Sequence, residues 1–327
     1  MTLTPTSPPR LYERAAHAAA EVVIARYSTS FGLAVRLLAE PVRTGVRDVY
    51  AMVRVADEVV DGACAGLGAQ EVRAVLDDYE AEVLTAMSRG FSTDLVVHAF
   101  ALTARRVGIT AELVEPFFAS MRADLSEDSH DRESLEEYIH GSAEVVGLMC
   151  LRCFLHDQPD REEAWTRLRP GAQRLGAAFQ KVNFLRDLSA DSEDLGRTYF
   201  PGVTPLTLDE ATKNALVAEI DADLQAADLA IAELPDSSRT AVRCVHLLFS
   251  ELNHRIATTP AQELAHTRVR VPDAHKAALV ARVLLRERVP LPVVGRTLGA
   301  RGRGTRPGPH HTGRPGVLAG GEPGGRR

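Results

Sequence analysis

Cysteine is scarce in this chain, and its scarcity bears on the compartment. The four cysteines among 327 residues are too few for a disulfide framework in a chain of this length. The first residues also show no positively charged stretch followed by an apolar one and a cleavage site. We therefore expect a reduced, cytoplasmic protein. The cysteines are Cys64, Cys150, Cys153 and Cys244.

Long hydrophobic runs are also missing. No segment approaches the roughly 18 to 20 unbroken apolar residues that a membrane-spanning helix needs, so the sequence does not predict a transmembrane protein. Aromatic residues make up only 5% of the chain, but apolar residues make up 45% and charged residues 25%. This composition is typical of a globular protein, and the length allows one large domain or two small ones.

Lysine is nearly absent, so arginine supplies almost all of the positive charge. The lysines are Lys181, Lys213 and Lys276. Abundant arginine either serves anionic ligands, which guanidinium groups bind in a bidentate manner, or reflects the base composition of the coding DNA. The net charge is −6, and it is −11 for residues 1–300 because residues 301–327 hold six arginines against one glutamate. This acidic body disfavours a nucleic-acid-binding surface.

Composition divides the chain into a flexible N-terminus at 1–9, a body at 10–298 and a tail at 299–327. The tail is rich in Gly, Pro and Arg, and we predict that it is disordered because it cannot bury enough apolar surface to offset its ordering entropy. In the body, apolar residues recur at spacings of three and four and almost nowhere alternate. Asp131 and Ser134 also form a predicted helix cap. The sequence therefore predicts a single all-α domain.

A narrow polar stripe runs along the helix predicted for residues 47–61. A period of 3.6 residues per turn places its members within an arc of roughly 80°, whereas most other positions are Val, Ala or Met. An exposed amphipathic helix shows the opposite proportion, with a broad charged face. The pattern therefore predicts a buried helix that lines a polar cavity. The stripe consists of Arg47, Tyr50, Arg54, Asp57 and Asp61.

A second polar stripe lies in residues 180–191 and also falls within roughly 80° of one helical face. It consists of Gln180, Asn183, Asp187 and Asp191, and its flanks are apolar. Each of the two predicted helices thus carries two aspartates four residues apart in surroundings that would bury them. Because buried carboxylates without a partner are costly, we expect a cation between them.

Two kinds of cation can compensate these carboxylates. Arg54 and Arg186 are near enough in sequence to form a structural ion-pair network. The alternative is a hard metal ion such as Mg²⁺, because the stripes offer oxygen ligands and neither His nor Cys. Magnesium is usually bound by one or two carboxylates together with substrate phosphates. The two stripes together therefore favour a diphosphate held between metal ions.

At these residues the sequence resembles the squalene/phytoene synthase family, the head-to-head prenyl transferases. The resemblance covers about residues 27–290 in four ordered blocks, and within the family it is greatest to bacterial phytoene synthases. The blocks are Tyr-Ser-Thr-Ser-Phe at 27–31, Val-Tyr-Ala-Met-Val-Arg-Val-Ala-Asp-Glu-Val-Val-Asp at 49–61, Tyr-Ile-His-Gly-Ser-Ala-Glu-Val-Val-Gly-Leu at 138–148, and residues 180–191 followed by Gly-Arg-Thr-Tyr-Phe-Pro at 196–201.

The resemblance implies a class I isoprenoid synthase-like helical bundle around a central apolar tunnel. It also implies a Mg²⁺ cluster, with Mn²⁺ as a substitute, that binds the diphosphates of two prenyl substrates. The implied metal ligands are Asp57, Asp61, Asn183, Asp187 and Asp191. The implied diphosphate contacts are Tyr27, Ser28, Thr29, Ser30, Tyr50, Arg54, Gln180 and Arg186.

The reaction implied by the resemblance joins two geranylgeranyl diphosphates through a cyclopropyl diphosphate, prephytoene diphosphate, to phytoene in carotenoid biosynthesis. Tyr138 matches a family tyrosine near the reacting carbons, where its ring could stabilise positive charge or its hydroxyl could pass on a proton; the alternative is that it only packs. NADPH is not expected, because no dinucleotide fingerprint occurs, although relatives that use NADPH lack one too. A prenyl diphosphate synthase and a phytoene desaturase are the pathway neighbours implied.

Other functions fit parts of the sequence. The same chemistry on farnesyl diphosphate would give squalene or dehydrosqualene, and the length of the tunnel would decide between the substrates. A terpene cyclase also binds magnesium through aspartates on helices, but the blocks at 27–31 and 196–201 disfavour it. A non-catalytic helical assembly protein of the same fold would be marked by lost carboxylates, and all four aspartates are present.

Some features have a structural interpretation beside a functional one. Cys150 and Cys153 form a Cys-x-x-Cys motif without further zinc ligands at a suitable spacing, which predicts two buried thiols. Gly141 and Gly147 predict close helix packing rather than a phosphate loop. The stretch 277–285, with Arg282, Arg286 and Arg288 in or just beyond it, is either a solvated basic helix face or a peripheral contact with the inner face of an anionic membrane.

Two positions bear on how far the resemblance extends. Family members often carry a tyrosine in a late helix, and residues 246–250 contain none. We therefore expect a contact there to be lost or replaced. Residues 268–276 resemble the basic stretch near the C-terminus of the family.

Overall fold

The computed structural model describes residues 8–28, 30–62, 64, 66–126, 129–194, 198–264 and 266–287. The disordered tail predicted for 299–327 lies outside these ranges, as does most of the N-terminus predicted for 1–9. Within the described ranges, regular structure is helical apart from an isolated β-bridge between Ser129 and Thr198. The predicted all-α fold is therefore confirmed.

The helices follow one another with short connections. In chain order they are α1 (Pro8–Tyr27), α2 (Ser30–Val35), α3 (Val42–Asp61), α4 (Ala69–Arg89), α5 (Leu95–Val107), α6 (Ala111–Ala123), α7 (Arg132–Ile139), a π-helical turn (His140–Glu144), α8 (Val145–Leu155), α9 (Arg161–Asp194), α10 (Glu210–Ala232), α11 (Asp236–Thr258), α12 (Ala261–Leu264) and α13 (Asp273–Glu287).

The start of α7 is fixed by the predicted cap. Oδ1 of Asp131 accepts a hydrogen bond from the Ser134 amide at 2.8 Å, and Oγ of Ser134 accepts one from the Asp131 amide at 3.0 Å. This reciprocal arrangement satisfies backbone donors that a helix start otherwise leaves without partners. The prediction of a capped helix start at this position is confirmed.

The π-helical turn between α7 and α8 allows a very close approach to α6. A Cβ atom built on Gly141 would lie 2.2 Å from the carbonyl oxygen of Pro116 and 2.1 Å from Oγ of Ser120. Only glycine fits at such a distance, so the interpretation of Gly141 as a packing residue is confirmed. A Cβ on Gly176 of α9 would similarly lie 2.6 Å from the carbonyl oxygen of Ala143 in the same π-helical turn.

Two large groups of buried side chains hold the helices together. The first joins α3, α5, α6 and α8 and includes Phe100, Phe117 and Leu148. The second joins α9, α10 and α11 and includes Leu185 and Ile220. Complete burial of such a side chain contributes roughly 1.5 to 3 kcal/mol. The predicted polar stripes lie on α3 and α9, one helix from each group.

The continuous helical stretch from α7 to α8 is long and apolar enough to cross a membrane by length and composition alone. Half of its most apolar window is buried in this fold, where α8 packs against α9 and α3. Its apolar character is therefore accounted for by the core. Cys150 and Cys153 lie on α8 as free cysteines, Cys153 fully buried and Cys150 half-buried.

Candidate active site

An apolar cavity of about 260 Å³ lies between α2, α3, α8, α9, α10 and α11. Small residues of α8 and α9 leave room for it, and its walls are almost entirely aliphatic or aromatic. Val53 of α3 and Phe179 of α9 line it, directly before Arg54 and Gln180 in sequence. The two helices that carry the polar stripes therefore also form part of the cavity wall, although the stripe residues themselves do not line it. Further lining residues include Val35, Val146, Gly147, Leu175, Gly176, Ile231 and Val245.

The polar stripe of α3 contacts the Tyr-Ser-Thr-Ser-Phe block at residues 27–31. The Arg54 guanidinium lies over the Tyr27 ring, 4.7 Å from its centroid, and a hydrogen bond joins the side chains of Tyr50 and Ser28. Thr29 lies outside the described residues, and Ser30 is described only as the first residue of α2. The structure therefore brings together four of the predicted diphosphate contacts, on α1, α3 and the loop between α1 and α2.

Arg54 links this group to the first aspartate. Its Nη1 lies 3.6 Å from Oδ2 of Asp57, and its other terminal nitrogen contacts Glu58, a residue that the sequence did not single out. Arg47 lies in the same predicted stripe but pairs with Glu21 of α1 at 3.2 Å. The stripe is therefore divided between a structural contact at its beginning and the candidate site at its end.

Asp57 is the member of the α3 stripe whose pKa is shifted most from its usual value. Its pKa is raised to about 7, chiefly by burial and also by the neighbouring carboxyls of Asp61 and Asp124, against the opposing effect of Arg54. The side chain is still 33% exposed, which is consistent with a position on the wall of a concave site. The Asp57 carboxyl thus lies beside other carboxyls, and Arg54, the arginine that lowers its pKa, also contacts Glu58. This arrangement favours uptake of a further cation.

The α9 stripe carries Asp187 in a different environment. Arg186 Nε lies 3.0 Å from Oδ1 of Asp187, and Arg268 binds the same carboxylate through Nε at 2.6 Å and Nη2 at 3.1 Å. Gln180 and Asn183 make no hydrogen bond to the described part of the chain, so their amides are available to a ligand. Asp191 lies in α9, but its side chain is outside the description.

Tyr138 is a buried member of the same site. Its hydroxyl donates to the Asp124 carboxylate, 2.9 Å from each oxygen. Burial raises its pKa well above the usual value, and the negative charge of Asp124 adds to that shift. Because Asp124 also acts on Asp57, it connects the predicted metal ligands with the predicted catalytic tyrosine.

Aromatic rings surround Tyr138. The ring centroids of His130, Tyr199 and Phe184 lie 5.0, 5.4 and 6.1 Å from that of Tyr138. Tyr199 stacks on Phe184 at 4.0 Å with an interplanar angle of 11°. Electron-rich ring faces attract positive charge, so this box suits a cationic intermediate.

The sequence analysis did not single out several residues of this site: Glu58, Asp124, His130, Phe184, Tyr199 and Arg268. Helical periodicity reveals which residues of one helix share a polar face, but Asp124, His130, Tyr199 and Arg268 lie outside α3 and α9. Tyr199 lies in the block at 196–201 and Arg268 in the basic stretch at 268–276, which gave each a weak signal. In the late helix without a tyrosine, Phe249 stacks on the cavity residue Phe179 at 3.9 Å.

The residues present fit magnesium by their chemistry. Asp57, Asp61 and Asp124 offer only oxygen ligands, and at Asp57 the effect of burial and of the neighbouring carboxyls outweighs that of Arg54. Asp187, by contrast, is already neutralised by two arginines. No group of three or more His, Cys, Asp or Glu residues stands close enough to hold a metal ion among the described side chains, which do not include that of Asp191.

Comparison with known proteins finds relatives that are named phytoene synthases. A phytoene synthase of Arthrospira platensis is 30% identical over 186 residues, which are 55% of this chain and 59% of that protein. A 15-cis-phytoene synthase of a Paracoccus species is 30% identical over 187 residues, or 55% and 58%. The matched region thus spans less than two thirds of the length of these relatives.

Solved structures share the fold. A dehydrosqualene synthase with a bound ligand has a TM-score of 0.69 at 21% identity, covering 86% of this chain and 99% of the other. A squalene synthase from Alicyclobacillus acidocaldarius has a TM-score of 0.65 at 19% identity, covering 79% and 97%. The sequence model described as squalene/phytoene synthase matches residues 24–275. This chain therefore belongs to the squalene/phytoene synthase family and has its helical fold.

Proposed function

We propose that this protein is a magnesium-dependent phytoene synthase that condenses two geranylgeranyl diphosphates head to head through prephytoene diphosphate. The observation that carries the proposal is that α3, which carries the carboxyl of Asp57 beside those of Asp61 and Asp124, also lines the apolar cavity through Val53. An apolar cavity suits a prenyl chain, and the polar end suits its diphosphate. Relatives at about 30% identity are phytoene synthases, which favours this substrate over farnesyl diphosphate.

In this proposal, arginine and amide side chains bind the two diphosphates. Arg54, Gln180 and Arg186 point from α3 and α9, and Tyr27, Ser28 and Tyr50 lie beside Arg54. Arg268 adds a second guanidinium near Asp187. Guanidinium groups bind phosphate oxygens in a bidentate manner, so an arginine that leaves Asp187 would be available to a diphosphate.

The proposed metal ligands are Asp57, Asp61, Asn183, Asp187 and Asp191, with Mn²⁺ as a substitute for Mg²⁺. Bound magnesium would neutralise the charge that develops on the departing diphosphate. On metal binding, Asp187 would release Arg186 and Arg268 and bind the cation instead. Asp57 and Asp61 have no such pair of arginines to release. The unequal environments of the two stripes therefore assign different roles to their aspartates before substrate binds.

The remaining residues protect and stabilise the reacting carbons. The aliphatic wall of the cavity excludes water that would quench a carbocation. The box of Tyr138, Phe184, Tyr199 and His130 presents aromatic faces to positive charge. Asp124 holds the Tyr138 hydroxyl in one position. Release of phytoene needs loss of a proton and no reductant, so NADPH is not part of the proposal.

The test incubates the purified protein and Mg²⁺ with farnesyl or geranylgeranyl diphosphate, each with and without NADPH, and identifies the hydrocarbons by mass. A forty-carbon product without NADPH is expected. A thirty-carbon product would transfer the proposal to squalene or dehydrosqualene synthesis, and no product from either substrate would favour a non-catalytic assembly protein of the same fold.

A substitution separates the metal site from the fold. Asp57→Asn should abolish turnover and leave the helical circular dichroism signal unchanged. Asp236→Asn is the matched control, because this aspartate is 94% exposed at the start of α11. Full activity of Asp57→Asn would overturn the assignment of the metal ligands.

A further inference from the structure

One hydroxyl group stands in the wall of the large apolar cavity. Ser142, in the π-helical turn between α7 and α8, lines this cavity of about 260 Å³. The other described residues that line it are glycines or carry aliphatic or aromatic side chains, apart from Cys150, whose thiol is a weak donor. Ser142 therefore carries the only hydroxyl among the described side chains of the cavity wall.

The Ser142 hydroxyl has no partner in the described part of the chain. Its Oγ is buried and forms no hydrogen bond with any described group. A serine inside a helix often donates to the carbonyl four residues earlier, which here is that of Tyr138. Oγ of Ser120 on α6 donates to this carbonyl at 3.1 Å. Ser120, and not Ser142, thus uses the local acceptor, and the Ser142 hydroxyl is left for the cavity.

Packing on both sides fixes the backbone at Ser142. A Cβ on the preceding Gly141 would lie 2.2 Å from the carbonyl oxygen of Pro116 on α6. The carbonyl oxygen of the following residue, Ala143, would lie 2.6 Å from a Cβ on Gly176 of α9. Ser142 lies between these two close contacts, so its side chain cannot leave the cavity wall unless α6 or α9 moves.

A hydroxyl without a partner in this wall is costly for the free protein. A buried donor that lacks an acceptor destabilises a fold, because it has lost its hydrogen bonds to water. Alanine lines the same cavity at Ala143 and Ala172, so packing alone does not require an oxygen atom there. A group that enters with the ligand is therefore the complementary acceptor.

The nature of that acceptor follows from the chemistry of the ligand. This step rests on the proposed function, in which the cavity binds the hydrocarbon chain of a prenyl diphosphate. Apart from its diphosphate, such a chain offers a hydrogen-bond donor only the π electrons of its double bonds. A polar hydrogen can donate weakly to a π face.

We propose that Ser142 makes the cavity selective for an unsaturated prenyl chain. Its hydroxyl donates to the π face of one double bond and thereby sets how far the chain enters the cavity. A saturated chain of the same length and branching offers no acceptor and leaves the hydroxyl without a partner. Ser142 is thus a specificity-determining residue for the chain, separate from the residues that bind the diphosphates and the metal ions.

The test compares two ligands that differ only in the saturation of the chain. The S-thiolo analogue of geranylgeranyl diphosphate ionises too slowly to react, and the phytyl analogue has the same branched chain but keeps only the double bond next to the diphosphate. Calorimetric titration of the full chain with Mg²⁺ measures the affinity of both. Ser142→Ala should weaken binding of the geranylgeranyl analogue about fivefold and leave binding of the phytyl analogue nearly unchanged. Ser142→Cys, a weaker donor of similar size, should lie in between.

Thermal unfolding without a ligand gives a second readout. Ser142→Ala should raise the unfolding midpoint by about 2 °C, because it removes a buried donor that has no partner. Ser88→Ala on α4 is the matched control, since Ser88 is exposed and its replacement changes helix propensity alone. This variant should gain less stability and bind both analogues like the unaltered chain.

Two kinds of result would overturn the assignment of Ser142. The first is an equal loss of affinity for both analogues in Ser142→Ala, or no loss for the geranylgeranyl analogue. The second is a lowered unfolding midpoint in Ser142→Ala, which would show that the hydroxyl has a structural partner. Failure of the unaltered chain to bind either analogue would instead contradict the proposed function, and the selectivity of Ser142 with it.

Discussion

The hydroxyl of Tyr138 donates to both carboxylate oxygens of Asp124, at 2.9 Å each. This contact joins α7 to the end of α6, and Asp124 also raises the pKa of Asp57 on α3. A single carboxylate therefore lies between the phenol that faces the aromatic box and the first predicted metal ligand. The position of the phenol and the charge of the metal site are consequently coupled.

Removal of the Tyr138 hydroxyl should separate the role of this group in catalysis from the role of the ring in packing. Tyr138→Phe keeps the aromatic ring and loses the hydroxyl, and we expect kcat to fall by about 100-fold with little change in KM. Asp124→Asn should have a smaller effect, because an amide oxygen can still accept from Tyr138. Steady-state kinetics and thermal unfolding of both variants provide the measurement, and an unchanged kcat in Tyr138→Phe would show that the hydroxyl only packs.

Arg268 is expected to act on substrate binding rather than on stability. Its ion pair with Asp187 is half exposed, and such pairs contribute less than about 1 kcal/mol to folding. Arg268→Gln should therefore leave the unfolding midpoint nearly unchanged and raise the KM for the prenyl diphosphate roughly tenfold through loss of a phosphate contact. Arg270→Gln, two residues further along and exposed, is the control. An equal rise in KM for both variants would argue for general surface charge instead.

Lys181 is expected to stabilise the packing of α9 on α10. Burial lowers the pKa of its ammonium, but hydrogen bonds to Asp223 and Glu219 outweigh burial and raise it. Lys181→Met would leave the buried Asp223 with Arg174 as its remaining described partner. We expect a loss of about 3 kcal/mol at neutral pH, measured by urea unfolding.

The pH dependence of that loss follows from the sign of the shift. The folded-state pKa of Lys181 lies above the unfolded value of 10.5, so its stabilisation is complete below pH 10.5 and disappears as the pH rises through the folded-state pKa. The difference between Lys181→Met and the unaltered chain should shrink in that range. Lys276→Met, whose partner Asp273 is 97% exposed, should change stability little at any pH. A Lys181→Met variant as stable as this control would contradict the prediction.

Gly141→Ala should destabilise the fold by about 1 to 3 kcal/mol, because the new methyl group would collide with the Pro116 carbonyl of α6. Gly32→Ala is the control, since its nearest atom lies 3.9 Å away. Thermal unfolding of the two variants separates the collision from the general gain in stability that alanine brings over glycine in a helix. Equal unfolding midpoints would show that α6 can move aside.

The sequence predicted those parts of the site that depend on one helix at a time. The helical position of the α3 aspartates and the cap at Asp131 follow from local spacing, and both occur where they were predicted. The predicted burial is wrong for Asp61, which is exposed because it is the last residue of α3. The contact between Arg268 and Asp187 joins residues 81 positions apart, and no helical period extends that far. For Arg47 the helical period is misleading. This residue shares the predicted arc with Asp57, but it pairs with Glu21 of α1 and not with the candidate site.

The π-helical turn at His140–Glu144 has a consequence for insertions and deletions. A π turn holds one residue more than an α turn, so it changes the angular relation between Tyr138 before it and the cavity-lining residues after it. Loss of one residue there would restore a regular α-helix and rotate Tyr138 by about 100° relative to Val146 and Cys150. The number of residues in this turn therefore determines which way the tyrosine faces, and a single deletion could inactivate the site without replacing any of its side chains.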